Sequence, residues 1–186
     1  MWSPTNSTFA WNHGDVQEDI IRSWLAMAGP GVRHQGRDDS VFSDHADVRP
    51  TMLALVGLKD SYVHDGRVLA EKIDEKALPD GIHNKQEHFI ELANLYKQLN
   101  APVGSVGLNS LIFANRSIIG DDATYAQYLA TMGTLTSDRD ALASQIRAVL
   151  AGAAFANTPV SNDQAKDLGG RASDIINRVE DLAGTQ

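Results

Sequence analysis
The strongest constraint on this chain is the spacing of apolar residues in its last third. Tyr125, Tyr128, Met132, Leu135, Leu142, Ile146, Val149 and Ala153 follow one another in steps of three and four, with Arg139 at the one break. Such steps place side chains on one face of an α-helix. Gly120-Asp121-Asp122 stands just ahead and supplies acidic capping residues. The pattern returns in Ala165, Leu168, Ala172, Ile175, Val179 and Leu182, behind a start near Ser161 and Asn162. The spacing therefore predicts two long amphipathic helices, packed antiparallel across the 151–159 connection as a helical hairpin or small bundle. A third stripe, Phe89, Leu92, Leu95, Tyr96 and Leu99, predicts a helix over roughly 84–100, ended by Asn100-Ala101-Pro102.

Composition narrows what such a chain does. Its 186 residues, 42% of them hydrophobic, suffice for one domain with a sizeable core, or for a domain and a helical appendage. Sixteen basic residues against 24 acidic ones leave a net charge of −8. That balance disfavours nucleic acid and anionic lipid as partners, because both are gripped by positive charge. With no cysteine, disulfides, thiolate nucleophiles and zinc-thiolate sites are excluded. Any metal must be held by His, Asp, Glu or Asn. No apolar run approaches the length of a membrane span. The opening Met1-Trp2-Ser3-Pro4-Thr5-Asn6-Ser7-Thr8 has neither the basic start nor the apolar stretch of a signal peptide, so the chain as written is not addressed for export.

Residues 8–70 have a different texture, rich in Gly, Pro, His, Trp and Asp. Short apolar pieces, Thr8-Phe9-Ala10-Trp11, Trp24-Leu25-Ala26-Met27-Ala28 and Met52-Leu53-Ala54-Leu55-Val56, are separated by turn signals. This part reads as α/β, with Gly29-Pro30-Gly31 closing the second piece as a strand running into a loop. Residues 44–58 read as a loop feeding a helix, with Pro50 in its first turn and Gly57 as its stop. The expected division is an α/β part over 1–71 and a helical part over 72–186, helix-dominated overall.

All six histidines precede residue 89. His13 follows Asn12 at the exit of the first predicted strand, where open α/β sheets bind ligands. His45 lies in Ser43-Asp44-His45-Ala46-Asp47, an imidazole between two carboxylates just ahead of a predicted helix. Imidazole with carboxylate suits zinc and similar divalent ions, and a carboxylate also fixes an imidazole tautomer. The other reading makes His13 and His45 polar turn residues, and Asp44 and Asp47 helix caps. His34 sits in a polar Gly-rich stretch, and His64-Asp65-Gly66 reads as a turn; surface or structural duty is expected of both. His83 and His88 border the helix over 84–100 and receive no role.

A resemblance adds to these spacings. Phe9-Ala10-Trp11-Asn12-His13-Gly14-Asp15, then Gly29-Pro30-Gly31-Val32, then the run from Ser43-Asp44-His45-Ala46-Asp47-Val48-Arg49-Pro50-Thr51 to Leu58, then His64-Asp65-Gly66-Arg67-Val68-Leu69, resemble in content and order the end of the catalytic domain in the alkaline phosphatase superfamily. Sulfatases and nucleotide pyrophosphatase/phosphodiesterases belong to that group. Asn12-His13-Gly14 resembles its metal-binding Asp-His-Gly segment, and His45 its later histidine ligand. Asn12 replaces an aspartate of many members. The resemblance covers about residues 8–71, and the helical remainder looks like a C-terminal extension of some bacterial members.

The resemblance implies a site held by His13, His45, Asn12 and Asp44 for a divalent metal, zinc first, calcium or manganese otherwise. It also implies a phosphate or sulfate ester as substrate and an extracytoplasmic setting for family members. The nucleophile of such enzymes sits near the start of their catalytic domain, and the few residues ahead of Trp11 do not hold it. The expectation is a phosphoesterase-like hydrolase fragment that carries part of the metal site and is inactive alone. It would work beside a complementary chain, or self-associate through an exposed sheet edge. The alternatives are a non-catalytic interaction module built on the helical hairpin, and a self-contained metal-dependent hydrolase with a site near His13 and His45.

Overall fold
Caps and apolar spacing set the helices. The computed structural model describes residues 23–184, and in this region five α-helices form: α1 (Val48–Leu55), α2 (Gln86–Asn100), α3 (Ser105–Ile119), α4 (Asp122–Phe155) and α5 (Asn162–Ala183). A single helical turn at Asp80–His83 and three 3-10 turns, His45–Asp47, Ala70–Lys72 and Glu75–Ala77, lie between them. None of the helices is long and apolar enough to cross a membrane. The chain divides into two units, Met1–Pro30 and Gly31–Gln186. In the first, residues 23–30 run without helix or strand.

The long helices start where the sequence places them. Asp121 caps α4, its carboxylate accepting from the Thr124 hydroxyl at 2.7 Å and the Thr124 N–H at 2.8 Å, and these two bonds hold that carboxyl below its ordinary pKa. Ser161 and Gln164 form a reciprocal capping box at α5. Gly184, at φ +62°, ends α5 in the left-handed conformation that glycine adopts without steric cost. Arg171 donates to Gln145 and Arg178 pairs with Asp138, so rising numbers on α5 meet falling numbers on α4. The two helices are therefore antiparallel, and α2 packs against both. Their shared core contains Phe89, Leu92, Ile146, Leu150, Ala172 and Val179.

Two helical features depart from the apolar pattern. The break at Arg139 does not interrupt α4, because Arg139 turns outward and pairs with Asp140 on the surface. Helix α3 has no counterpart among the predicted elements; it buries only Val106 and Ser117, and its apolar stripe of Leu108, Leu111, Ile112, Ile118 and Ile119 is left exposed.

The α/β expectation for residues 1–71 is overturned. No strand or sheet forms among the described residues; Val32 and Ile73 make an isolated antiparallel bridge, flanked by Arg33 N–H to Lys72 O at 2.9 Å and Asp74 N–H to Gly31 O at 2.8 Å. The predicted strand at 24–28 is irregular, with Trp24 86% exposed, and the one at 8–11 lies outside the described residues. A five-residue apolar run does not by itself define a strand, because a strand exists only once a neighbour pairs with its backbone. With no sheet here, the sheet edge expected as a route to self-association is also absent from the described residues.

The helix expected after residue 44 does form, as α1. Its end is a Schellman arrangement: Gly57 at φ +66° donates to Ala54 O and Leu58 donates to Leu53 O at 2.9 Å. Ala54 and Val68 join the same core as α2, α4 and α5, so the 44–73 stretch is built onto the helical bundle.

Because the Ser161 hydroxyl satisfies an otherwise unpaired N–H at the start of α5, Ser161→Ala should lower stability by about 1 kcal/mol. Urea denaturation followed by circular dichroism measures this, and Ser161→Asp should recover the loss.

Candidate functional site
The Asp44-His45-Ala46-Asp47 turn is fixed from beneath by charge taken out of water. The Asp47 side chain is fully buried and that of Lys97, on α2, is 3% exposed. Their ion pair spans 3.1 Å. Asp47 also accepts the backbone N–H of Arg67 at 2.8 Å and that of Asp44 at 3.0 Å, so its two oxygens have three donors. Lys97 meets Asp44 as well, at 2.7 Å, and lies 5.8 Å from the centre of the Phe42 ring. The Thr51 hydroxyl donates to Asp47 O and accepts the Leu69 N–H, tying the start of α1 to the 67–69 segment.

A second buried cation completes the scaffold. Arg67 makes a two-pronged contact with Glu71, at 2.8 and 2.5 Å, and also donates to Asn94 on α2. Tyr96, one residue before Lys97, donates its hydroxyl hydrogen to Asp65 O at 2.9 Å, and burial raises its pKa. Gly66 allows the close approach between these pieces: a Cβ there would lie 2.1 Å from Ala46 O. One face of α2 thus holds both ends of the 44–67 loop through Lys97, Asn94 and Tyr96.

The candidate ligands occupy different situations on this scaffold. Asn12 and His13 lie outside the described residues. Asp44 is the N-cap of the 3-10 turn, with one oxygen accepting the Ala46 N–H at 2.9 Å and the other paired with Lys97. Asp47 and Asp44 form a reciprocal capping box, the helix-cap role weighed for both from the sequence. His45 is exposed, and its ring has no hydrogen bond or ion pair among the described residues. As a donor set, His45 offers a free imidazole lone pair, which suits a divalent ion. Asp44 would do so only by giving up Lys97. Among the described residues no cluster of three or more His, Asp or Glu is placed to hold a metal ion, so the two described candidates do not make a complete site with one another.

Three other histidines are engaged elsewhere, while His34 is exposed. His64 sits 3.1 Å from Asp60, His83 3.4 Å from Glu75 and His88 3.4 Å from Val160 O. Partial desolvation at Asp60 works to raise its pKa, but hydrogen bonds from Arg49 and the Tyr62 N–H, with their neighbouring positive charge, hold it below its ordinary value.

Lys97 is the residue that reading for motifs missed. It falls four residues after Ala93 and eight after Phe89, on the buried face of α2, where a lysine implies a buried partner. That offset was the available signal. No protein-family model matches this chain, and no curated protein or solved structure matches it either.

Removing one member of a buried pair leaves the other charge uncompensated. Asp47→Ala should therefore destabilise the protein by about 3–5 kcal/mol, and adding Lys97→Met should recover part of that loss. Exposed His45, in contrast, should tolerate His45→Ala within about 0.5 kcal/mol. Equilibrium denaturation of the three variants checks both statements.

Proposed function
We propose that this chain contributes a histidine metal ligand to a phosphoesterase-like site that a partner completes, and that it does not hydrolyse esters by itself. The observation that carries this reading is the contrast at the 44–47 turn. Every side-chain oxygen of Asp44 and Asp47 is committed to backbone N–H groups or to Lys97, while the imidazole beside them is exposed and uncommitted. A ligand held ready on a rigid turn loses little entropy when a metal engages it. The resemblance of Asn12-His13-Gly14 and of the 43–58 run to the alkaline phosphatase superfamily supplies the reaction class.

In that reading His45 gives the ring nitrogen, and Asp47 and Lys97 hold the turn that carries it. A divalent ion so bound would polarise the ester and stabilise charge on attacking and leaving oxygens. No nucleophile is assigned to this chain; it belongs to the partner, because in-line displacement needs acceptor and charge clamp positioned together. The surface beside the turn supports a completing partner: Met52, Val56, Leu58, Tyr62 and Val63, all on or just after α1, are well exposed. Clustered exposed apolar side chains mark contact surfaces more often than free ones.

A second reading, a non-catalytic interaction module, is favoured by a different observation. Leu108, Leu111, Ile118 and Ile119 of α3 and Tyr125 and Leu129 of α4 are exposed, and Phe113 stacks edge-on against Tyr128 among them.

Calorimetric titration of the purified chain with zinc, calcium and manganese separates the two. The proposal expects one ion bound per chain, with binding lost in the double variant His13→Ala/His45→Ala while its circular dichroism stays unchanged. If none of the three ions binds, the metal-ligand reading falls and the interaction module stands in its place.

A further inference from the structure
The loop that follows α1 leans over the C-terminal half of α4 without filling the space between them. A cleft of about 510 Å³ remains there. That volume lies within the range of small-molecule sites, roughly 300–1,000 Å³. Phe89 and Tyr96 of α2 line its depth. A chain of rings joins the loop to the end of α4: Tyr62 meets His64 edge-on at 5.4 Å between centroids, and His64 meets Phe155 at 6.2 Å. Ser144, Ala148 and Ala151 precede Phe155 along α4 and line the cleft with side chains too small to close the gap.

The charge around this cleft runs against that of the chain. The protein carries −8 overall, yet its exposed lining offers Lys59 and Arg147 against a single acid, Asp60. Asp60 is already saturated by Arg49, His64 and the Tyr62 N–H. Lys59 has no ion-pair or hydrogen-bond partner among the described residues. Arg147 meets Asp65, whose side chain is 69% exposed, a pairing worth little in water and easily exchanged for an anion held out of solvent.

We propose that this cleft is a binding site for a small amphipathic anion. Its flat apolar body would lie between the Tyr62 and His64 rings of the loop and the α4 face formed by Ala148, Ala151 and Phe155, with its acid group turned to Lys59 and Arg147. Rings offer favourable stacking to a flat body, and the cations add an attraction that an uncharged analogue lacks. Carboxylate, sulfonate and phosphate monoester share this chemistry. The site does not depend on His45 or on the reading of the 44–47 turn.

The test uses anilinonaphthalene sulfonate and its uncharged counterpart, N-phenyl-1-naphthylamine, in fluorescence titrations of the full chain. Wild type should show one saturable site with a clear preference for the sulfonate. Ala151→Trp, which fills the cleft from an exposed helix position, should weaken both dyes at least about tenfold, the scale of a lost principal contact. Lys59→Gln/Arg147→Gln should weaken the sulfonate by about tenfold and leave the uncharged dye unchanged, as expected for charge-assisted contacts. Should Ala151→Trp fail to fold, Ala148→Phe blocks the same wall from a neighbouring turn. The proposal is overturned if a folded cleft-filling variant binds the sulfonate as wild type does, since the dye then sits on exposed apolar side chains elsewhere. It is overturned equally if both dyes bind alike and ignore the loss of Lys59 and Arg147.

Discussion
The Asp47 and Lys97 ion pair is the contact through which the N-terminal part of the bundle acquires its shape. Both groups are withdrawn from water, so neither can lose the other without an unpaired charge remaining in a medium that solvates it poorly. A buried pair of this kind adds little net stability over an apolar one, but it penalises every arrangement in which the two do not meet. Residue 47 lies in a 3-10 turn and residue 97 on α2, and their meeting fixes the turn from which α1 and the loop after it set out. Arg67, with Glu71 and Asn94, fixes where that loop returns. Outside α1 the stretch from 44 to 71 has little regular structure of its own, and it is these polar contacts, with Ala54 and Val68 in the core, that make it a defined surface.

That surface gives physical content to the proposed function. A metal ligand on a loose loop would have to be ordered each time it bound, whereas one on a clamped turn is ordered already. The same clamp removes Asp44 and Asp47 from the supply of donors, because their oxygens accept from backbone N–H groups and from Lys97. Lysine and metal compete for one carboxylate, and at Asp44 the lysine lies 2.7 Å away. His45 is therefore the member of the turn on which the proposed ligand role rests. The cleft beside α4 has a separate origin: small side chains on a helix facing aromatic side chains on a loop leave room that neither can close.

The helical part was legible because its signal is local. Apolar steps of three and four, acidic or hydroxyl caps, and the Pro and Gly stops determine α2, α4 and α5 within a few residues, and they do so through interactions that reach no further than one helical turn. The end of α1 at Gly57 belongs to the same class. Helix α3 was missed although Leu108, Leu111, Ile112, Ile118 and Ile119 stand at helical spacing, and that stripe faces outward instead of joining the core. The α/β texture of the first part misled for a related reason. Short apolar pieces between Gly and Pro are what strands look like, but pairing with a neighbour decides whether they become strands, and around Trp24 no neighbour pairs.

By itself, then, the sequence determined where the long helices run, how they are capped, that two of them pair antiparallel, and that thiolate chemistry is excluded. It also marked Asp44, His45 and Asp47 as residues worth following, while leaving cap and ligand as rival roles. Only the tertiary structure gave the carboxylates their partners, because Asp47 is held by Lys97 and Arg67, 50 and 20 residues beyond it in the chain. Burial decides whether a carboxylate is a solvated charge or half of an ion pair, and burial depends on which distant segments fold over it. No local pattern encodes that, which is why the helices could be read from the chain and the state of the candidate site could not.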